Sequence, residues 1–274
     1  MIFMTAVSAA AVNVHCSDDE KDVETIVMSL RGSDASLGPR VSSAAISLLG
    51  RPYSPTTQLD SVGNLAVNLH SFDDVDFLYT VVALAKASEG LGIPVTEYER
   101  NLEAVSRRGG VDKGFTSKML YGADWIVDNI YRGIVEERVP AGTTPSSKIK
   151  SLDYVSHHRE DYKCLADSAA FENLRMIEFG FRSHKIPHLK REELGRKNFL
   201  EEVRDGDIIM FLTNDNDRDI YLTGVVVKRE DGPHLIYASE KDGAVIENEL
   251  TLMEMAKRHS KHTYGFRWLR LKAD

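Results

Sequence analysis

The stretch Phe72-Asp73-Asp74-Val75-Asp76-Phe77-Leu78-Tyr79-Thr80-Val81-Val82-Ala83-Leu84-Ala85-Lys86-Ala87 decides the reading of this chain. From Val75 to Ala87 it is strongly apolar and too long for an ordinary strand. A helix buried on most of its faces has this composition. Asp73 or Asp74 stands where an N-cap belongs, because a carboxylate there accepts the free N–H groups of the first turn. The segment is expected to be a buried helix with an acidic N-terminus.

Other helices are expected around it. Asp22 to Leu30 is apolar at helical spacing and ends at Gly32. Val41 to Leu49 is closed by Gly50 and Pro52, and Pro94 opens a segment that includes Thr96 to Val105 and stops at Gly109-Gly110. Trp125 to Tyr131 and Asp161 to Phe179 complete the set. The last third changes character. Gly206 to Phe211, Ile220 to Lys228, Pro233 to Ser239, Ala244 to Glu247 and Tyr264 to Leu271 read as strands, with Leu250 to Arg258 a helix among them. Asp231-Gly232 and Asp242-Gly243 are turn dipeptides between apolar runs. Helices first and antiparallel strands later imply an α+β fold. Gly142 to Ser147 reads as a surface loop, and no internal repeat is evident.

The chain has 274 residues, 42% of them hydrophobic and 28% charged, which suits a globular protein with a real core. Its formal charge of −8 argues against a general nucleic-acid binder, which needs a basic face. No apolar run is long enough for a transmembrane span. Met1 to Val14 is uncharged and mostly apolar, and is followed by Cys16 and the acidic run Ser17-Asp18-Asp19-Glu20. This predicts an export leader or tether over residues 1–20 and one domain over 21–274. Cys16-Ser-Asp-Asp-Glu is similar to the acidic export tag of lipoproteins in the Bacteroides group, which implies a lipid anchor at Cys16. The remaining cysteine, Cys164, has no metal-type spacing around it and reads as a half-buried helix residue.

A set of ordered segments carries a family resemblance. They are Leu49-Gly50-Arg51-Pro52-Tyr53, Leu65-Ala66-Val67-Asn68-Leu69, Phe72 to Phe77, Ser117 to Ile126, Gly206-Asp207-Ile208-Ile209, Asp219 to Val225 and His234 to Ser239. In this order and spacing the chain resembles N-acetylmuramoyl-L-alanine amidases of the NlpC-type, papain-like superfamily, over roughly Ser43 to Arg270. The resemblance implies a papain-like α+β fold, with a nucleophile-bearing helix packed on an antiparallel sheet. It also implies action on peptidoglycan in the cell envelope, in the periplasm or at the outer-membrane surface, with a cytoplasmic location as the open alternative.

The same resemblance marks three substitutions. The family reads Phe-Asp-Cys-Val-Thr-Phe where this chain has Phe72 to Phe77, so Asp74 stands at the nucleophile position. The family's His-Val-Gly becomes Leu222-Thr223-Gly224, and its His-Ala-Ser becomes Tyr237-Ala238-Ser239. Leu222 thus replaces the base and Tyr237 the residue that orients it. A further family histidine becomes Leu120. The family's chemistry needs a thiolate at a helix N-terminus and a histidine to accept its proton. Leucine accepts no proton, and aspartate is a poor nucleophile toward an amide. The expectation is a catalytically silent homologue that binds a peptidoglycan fragment or similar ligand in the old cleft. Tyr53, Arg108, Tyr121, Asp124 and Trp125 are expected near that cleft through the resemblance. Two readings stay open beside it, a cell-wall hydrolase with rearranged carboxylate chemistry and a surface interaction scaffold.

No cofactor or metal is expected. Asp73, Asp74 and Asp76 make an acidic cluster, but positions 74 and 76 point in different directions on a helix. His157-His158 reads as a surface helix start. His259 and His262 have ligand-like spacing on paper and read as a basic, solvated helix end.

Overall fold

The structure is a computed structural model that describes residues 17–33, 35–55 and 65–273. Cys16 and the apolar leader lie outside the described residues. Four helices come first, α1 (Ser17–Arg31), α2 (Leu37–Ser47), α3 (Asp74–Ala87) and α4 (Pro94–Ser106). Then follow α5 (Gly122–Tyr131), β1 (Val135–Glu137), β2 (Ser146–Ile149), α6 (Tyr154–His157), α7 (Ser168–Phe181), β3 (Lys185–His188) and α8 (Lys197–Glu202). The last third supplies β4 (Ile208–Thr213), β5 (Ile220–Arg229), β6 (Gly232–Ser239), β7 (Ala244–Glu247), α9 (Leu252–Arg258) and β8 (Thr263–Leu271). The α+β expectation holds.

The main sheet has the order β1-β8-β4-β5-β6-β7, and each neighbouring pair is antiparallel. Both of its faces are covered, which explains why every residue of β4 is buried. On one face Ile208, Met210, Val225, Val227, Ile236 and Ala238 join the apolar side chains of α1 to α4. On the other, Ile209, Phe211, Val226, Leu235 and Trp268 pack with Phe199 of α8 and Leu252 and Met255 of α9. Alternate residues of each strand therefore serve different cores, as the two-residue period of a strand requires.

Helix α3 is the centre of the first core. Twelve of its fourteen residues are buried, so the uniformly apolar stretch has a neighbour on almost every side. Asp73 caps it, its carboxylate accepting the Asp76 N–H at 2.6 Å. Burial of each large apolar side chain contributes roughly 1.5–3 kcal/mol, which makes this helix a principal source of stability.

Three sequence readings meet a different local structure. The division after residue 20 falls inside α1, which begins at Ser17. The acidic run suits a helix N-terminus electrostatically, and Asp19 is buried where its carboxylate accepts the Leu69 N–H at 2.7 Å. The helix expected over Asp161 to Phe179 is interrupted. Short 3-10 turns cover Arg159–Asp161 and Lys163–Ala166, the second containing Cys164. The true start is Ser168, where Asp167 accepts the Ala170 N–H at 2.9 Å. That cap ends one segment and opens another, which apolar periodicity alone does not register. The loop expected up to Ser147 also gives way at Ser146, where β2 pairs with β3.

Candidate functional site

A cleft of about 880 Å³ opens where the N-terminus of α3 meets the start of β5, the turn after β6 and the end of α9. This volume lies within the usual range for small-ligand sites. Asp74, Leu222 and Tyr237 all line it, as do Tyr53, Tyr121 and Leu120. Sequence reading thus brings together positions far apart in the chain. Six of the chain's ten tyrosines line this one cleft, which gives it large apolar faces with polar tips.

The floor is acidic. Asp73 and Asp74 are half-buried at the head of α3. Burial, reinforced by Asp76, pushes the Asp73 carboxyl up to about 7, with Lys118 acting in the opposite direction. Burial also raises Asp74, to about 6, although its carboxylate accepts its own N–H and that of Val75. Behind them Lys118 Nζ lies 2.6 Å from Asp76 Oδ1, with both side chains buried. Tyr53 stands over this floor because its N–H bonds Gly243 O at 2.8 Å and its strand segment pairs with Phe72. Its hydroxyl is held neutral by burial and by the fields of Asp74, Glu240 and Asp73.

Leu222 and Tyr237 occupy a different setting. Both belong to the apolar cluster on the α9 face of the sheet, and Leu222 is paired in register with Phe211. Helix α3 packs on the opposite face. The cleft therefore joins the two layers at the strand ends, and Leu222 and Tyr237 show it only a small part of their surface. The Tyr237 hydroxyl accepts a hydrogen bond from Asn248 Nδ2 at 3.1 Å. On the opposite wall the Tyr121 hydroxyl donates to Glu178 Oε1 at 2.8 Å and accepts the Val155 N–H. Tyr154 stacks with the His158 ring, and the Arg218 guanidinium also lies over its ring.

Arg108, Asp124 and Trp125 do not reach the cleft lining. Trp125 is buried in the first core, stacked on Tyr79, with its indole N–H donating to Val105 O at 2.8 Å. Asp124 pairs with Arg108, which also donates to Thr116 O at 2.9 Å. These three residues tie the turn at Arg108 to α5. An aromatic and an acid at successive helix positions point about 100° apart, and here neither direction is toward the cleft.

The charged surroundings of His259 in the sequence predict a solvated helix end, yet the residue lines the cleft. Its Nδ1 lies 3.0 Å from the Tyr221 hydroxyl, and His262 stacks on the same tyrosine ring. Spacing along α9 carries no signal of this, because the contact comes from β5. His157 and His158 stay near the surface, with His158 Nδ1 2.8 Å from Tyr154 O. Among the described residues no group of three His, Cys, Asp or Glu side chains is arranged to hold a metal ion. Cys164 packs beside a third apolar cluster and is not a cleft residue. The cleft thus offers carboxyls that titrate near neutrality, phenols and one imidazole, but no thiol among its lining residues. No helix of the described residues is long and apolar enough to cross a membrane.

A family model described as AmiA-like, N-acetylmuramoyl-L-alanine amidase-like, matches residues 43–263. Among solved structures, an N-acetylmuramoyl-L-alanine amidase from Bacteroides uniformis is similar at 28% identity and a TM-score of 0.75, covering 85% of this chain and 99% of the other. A Bacteroides fragilis structure described as a candidate xylanase is similar at 28% identity and a TM-score of 0.76, with coverage of 84% and 99%. A Legionella pneumophila protein of the DUF1460 family shares the fold at 15% identity and a TM-score of 0.71, with coverage of 93% and 95%. No curated protein matches the chain.

Proposed function

The chain belongs to the N-acetylmuramoyl-L-alanine amidase-like family, and from that premise we propose that it is a catalytically silent member that binds a peptidoglycan fragment. The observation that carries this reading is the meeting of Asp74, Leu222 and Tyr237 at one cleft. Under the resemblance to NlpC-type, papain-like enzymes, these are the nucleophile, base and orienting positions. Neither Asp74 nor Leu222 can perform the corresponding step at an amide, and Tyr237 has no imidazole at position 222 to orient. Aspartate attack would yield an anhydride that reverts readily, and leucine cannot take a proton. The packing of α3 on an antiparallel sheet supports the papain-like architecture. An open cleft with satisfied polar side chains favours binding over a filled, vestigial groove.

The working place of such a protein is the cell envelope. An export leader ending near Cys16, with a lipid anchor there, accords with this reading. A second reading, hydrolysis by carboxylates, draws on Asp73 and Asp74, whose raised pKa values fit general acid–base work near neutral pH. Purified muropeptides separate the two. Calorimetry is expected to register binding, while mass spectrometry of the same mixture finds the ligand intact. Cleavage that disappears in Asp74→Ala would promote the carboxylate reading, and absence of binding would refute the first one.

A further inference from the structure

The cleft lining carries charges of both signs: Lys118 is paired with Asp76 and Arg218 with Asp215, Asp242 accepts from Ser239, and Glu249 is exposed. Asp73, Asp74 and Glu240 gather at the head of α3, and Glu240 acts on Asp74 and Tyr53. At the other end lie Lys241, in the turn after β6, and Arg258 and His259 at the end of α9, all in the cleft lining. Arg258 and Lys241 form no ion pair among the described residues. Glu247, a nearby acid, is taken by Arg229 through two bonds of 2.6 Å. Burial pushes the His259 imidazole below the ordinary range, and the fields of His262, Arg258 and Lys241 act in the same direction. Tyr221 of β5, itself raised by burial and by Tyr237, holds Nδ1. When the Tyr221 hydroxyl donates to Nδ1, or when the ring is protonated, the second imidazole nitrogen is a donor.

The geometry points to an anion subsite in which Arg258, Lys241 and His259 hold a carboxylate of the bound ligand. A carboxylate entering this end would face three donors on two separate elements, with the Tyr221 ring beside it. Such charge-assisted hydrogen bonds are the strong ones, and a guanidinium presents two parallel donors to a planar carboxylate. The difference between Asp73, Asp74 and Glu240 on one side and Lys241, Arg258 and His259 on the other also sets direction. An acidic peptide group is repelled from the α3 end and attracted to the α9 end, so a ligand with carboxylates on one side enters in one orientation. This deepens the proposed function and rests on it for the identity of the larger ligand, whereas the subsite itself rests on these side chains.

Binding of a carboxylate favours the imidazolium form of His259, so it raises the titration midpoint of that histidine. The test follows the His259 ring signals by NMR against pH, with and without N-acetyl-D-glutamate, and with its diamide as the neutral control. The midpoint is expected to rise with the carboxylate and to stay put with the diamide. The double variant Arg258→Gln/Lys241→Gln is expected to lose the rise. It should bind N-acetylmuramoyl-L-alanyl-D-glutamate roughly tenfold more weakly than the natural protein, and the N-acetylmuramoyl-L-alanyl-D-glutamic acid diamide nearly as well. A midpoint that ignores the carboxylate, or moves equally in the double variant, overturns the subsite. Muropeptide affinities unchanged in that variant also overturn it while leaving the cleft reading intact. A shift with N-acetyl-D-glutamate but no muropeptide binding upholds the subsite and refutes the peptidoglycan reading.

Discussion

Lys118 Nζ lies 2.6 Å from Asp76 Oδ1, and the two side chains are 3% and 0% exposed. The pair links the first turn of α3 to the segment before α5, immediately behind the acidic floor of the cleft. Asp76 is also the residue whose N–H the Asp73 cap engages. One buried ion pair thus holds the helix start on which the site is built.

Removing one partner leaves a buried charge uncompensated, which typically costs about 3–5 kcal/mol. Asp76→Asn is therefore expected to lower the unfolding midpoint by roughly ten degrees or more in a thermal scan. Replacing both partners, Asp76→Leu with Lys118→Met, should cost less than the two single changes added together. Denaturant titration of the four proteins in the cycle checks this. Additive losses would mean that the two groups do not act as a pair.

Asp73 and Asp74 make stability depend on pH. Both carboxyls are raised in the fold, to about 7 and about 6, so the folded state favours their neutral forms. Their contribution is complete below about pH 4, the ordinary aspartate range, and is lost as pH rises through 6 to 7. Asp74→Asn removes one of these ionisations. It should raise the thermal midpoint by about 2–4 °C at pH 8 and change it little at pH 4. An equal shift at both pH values would show that Asp74 titrates normally.

Much of this was legible in the sequence, for reasons that differ by element. The α3 segment announced itself because its neighbours on all sides are apolar and an aspartate caps it. The strands β4 to β7 could be read from β-branched runs and aspartate-glycine turns, and the observed ends lie within a few residues. What the sequence hid is what depends on packing between distant elements. Trp125 looked like a cleft residue because of its motif, but its indole N–H finds Val105 O and its ring finds Tyr79. His259 looked solvated because its helix neighbours are charged, but Tyr221 approaches it from β5. The two faces served by β5 also separate Leu222 from the α3 core, which no linear motif reveals.

The Gly206-Asp207 pair has a structural rationale that can be tested apart from function. Gly206 has φ +80°, and a Cβ there would fall 2.0 Å from Gly38 O, a backbone atom of α2. Asp207 accepts Trp268 Nε1 at 2.8 Å and Arg270 Nε at 2.7 Å, so the turn anchors β4 to β8. Gly206→Ala combines an unfavourable backbone region with a clash that no side chain can relieve. A loss of about 3 kcal/mol or more is expected, readable as a lower denaturant midpoint at an unchanged slope. A change below 1 kcal/mol would show that α2 moves away freely.

The last prediction concerns turnover. The natural protein is expected to cleave N-acetylmuramoyl-L-alanine peptides no faster than Asp74→Ala does. Loss of a general base alone typically slows such chemistry by about 10²–10⁴. Here the nucleophile is missing as well, and residues that act as one unit are not restored singly. Asp74→Cys alone should therefore stay inactive, although a thiol at the head of α3 would be labelled by iodoacetamide. Adding Leu222→His does not recreate an oriented base. The new imidazole would sit opposite Phe211 in an apolar cluster that disfavours its charged form, with Tyr237 beside it. The double variant should accordingly bind muropeptides and cleave them far more slowly than an amidase of this family. Robust turnover by Asp74→Cys/Leu222→His would show that Leu222 faces the thiol after all. Turnover by the natural protein, lost in Asp74→Ala, would replace the silent reading with a carboxylate mechanism.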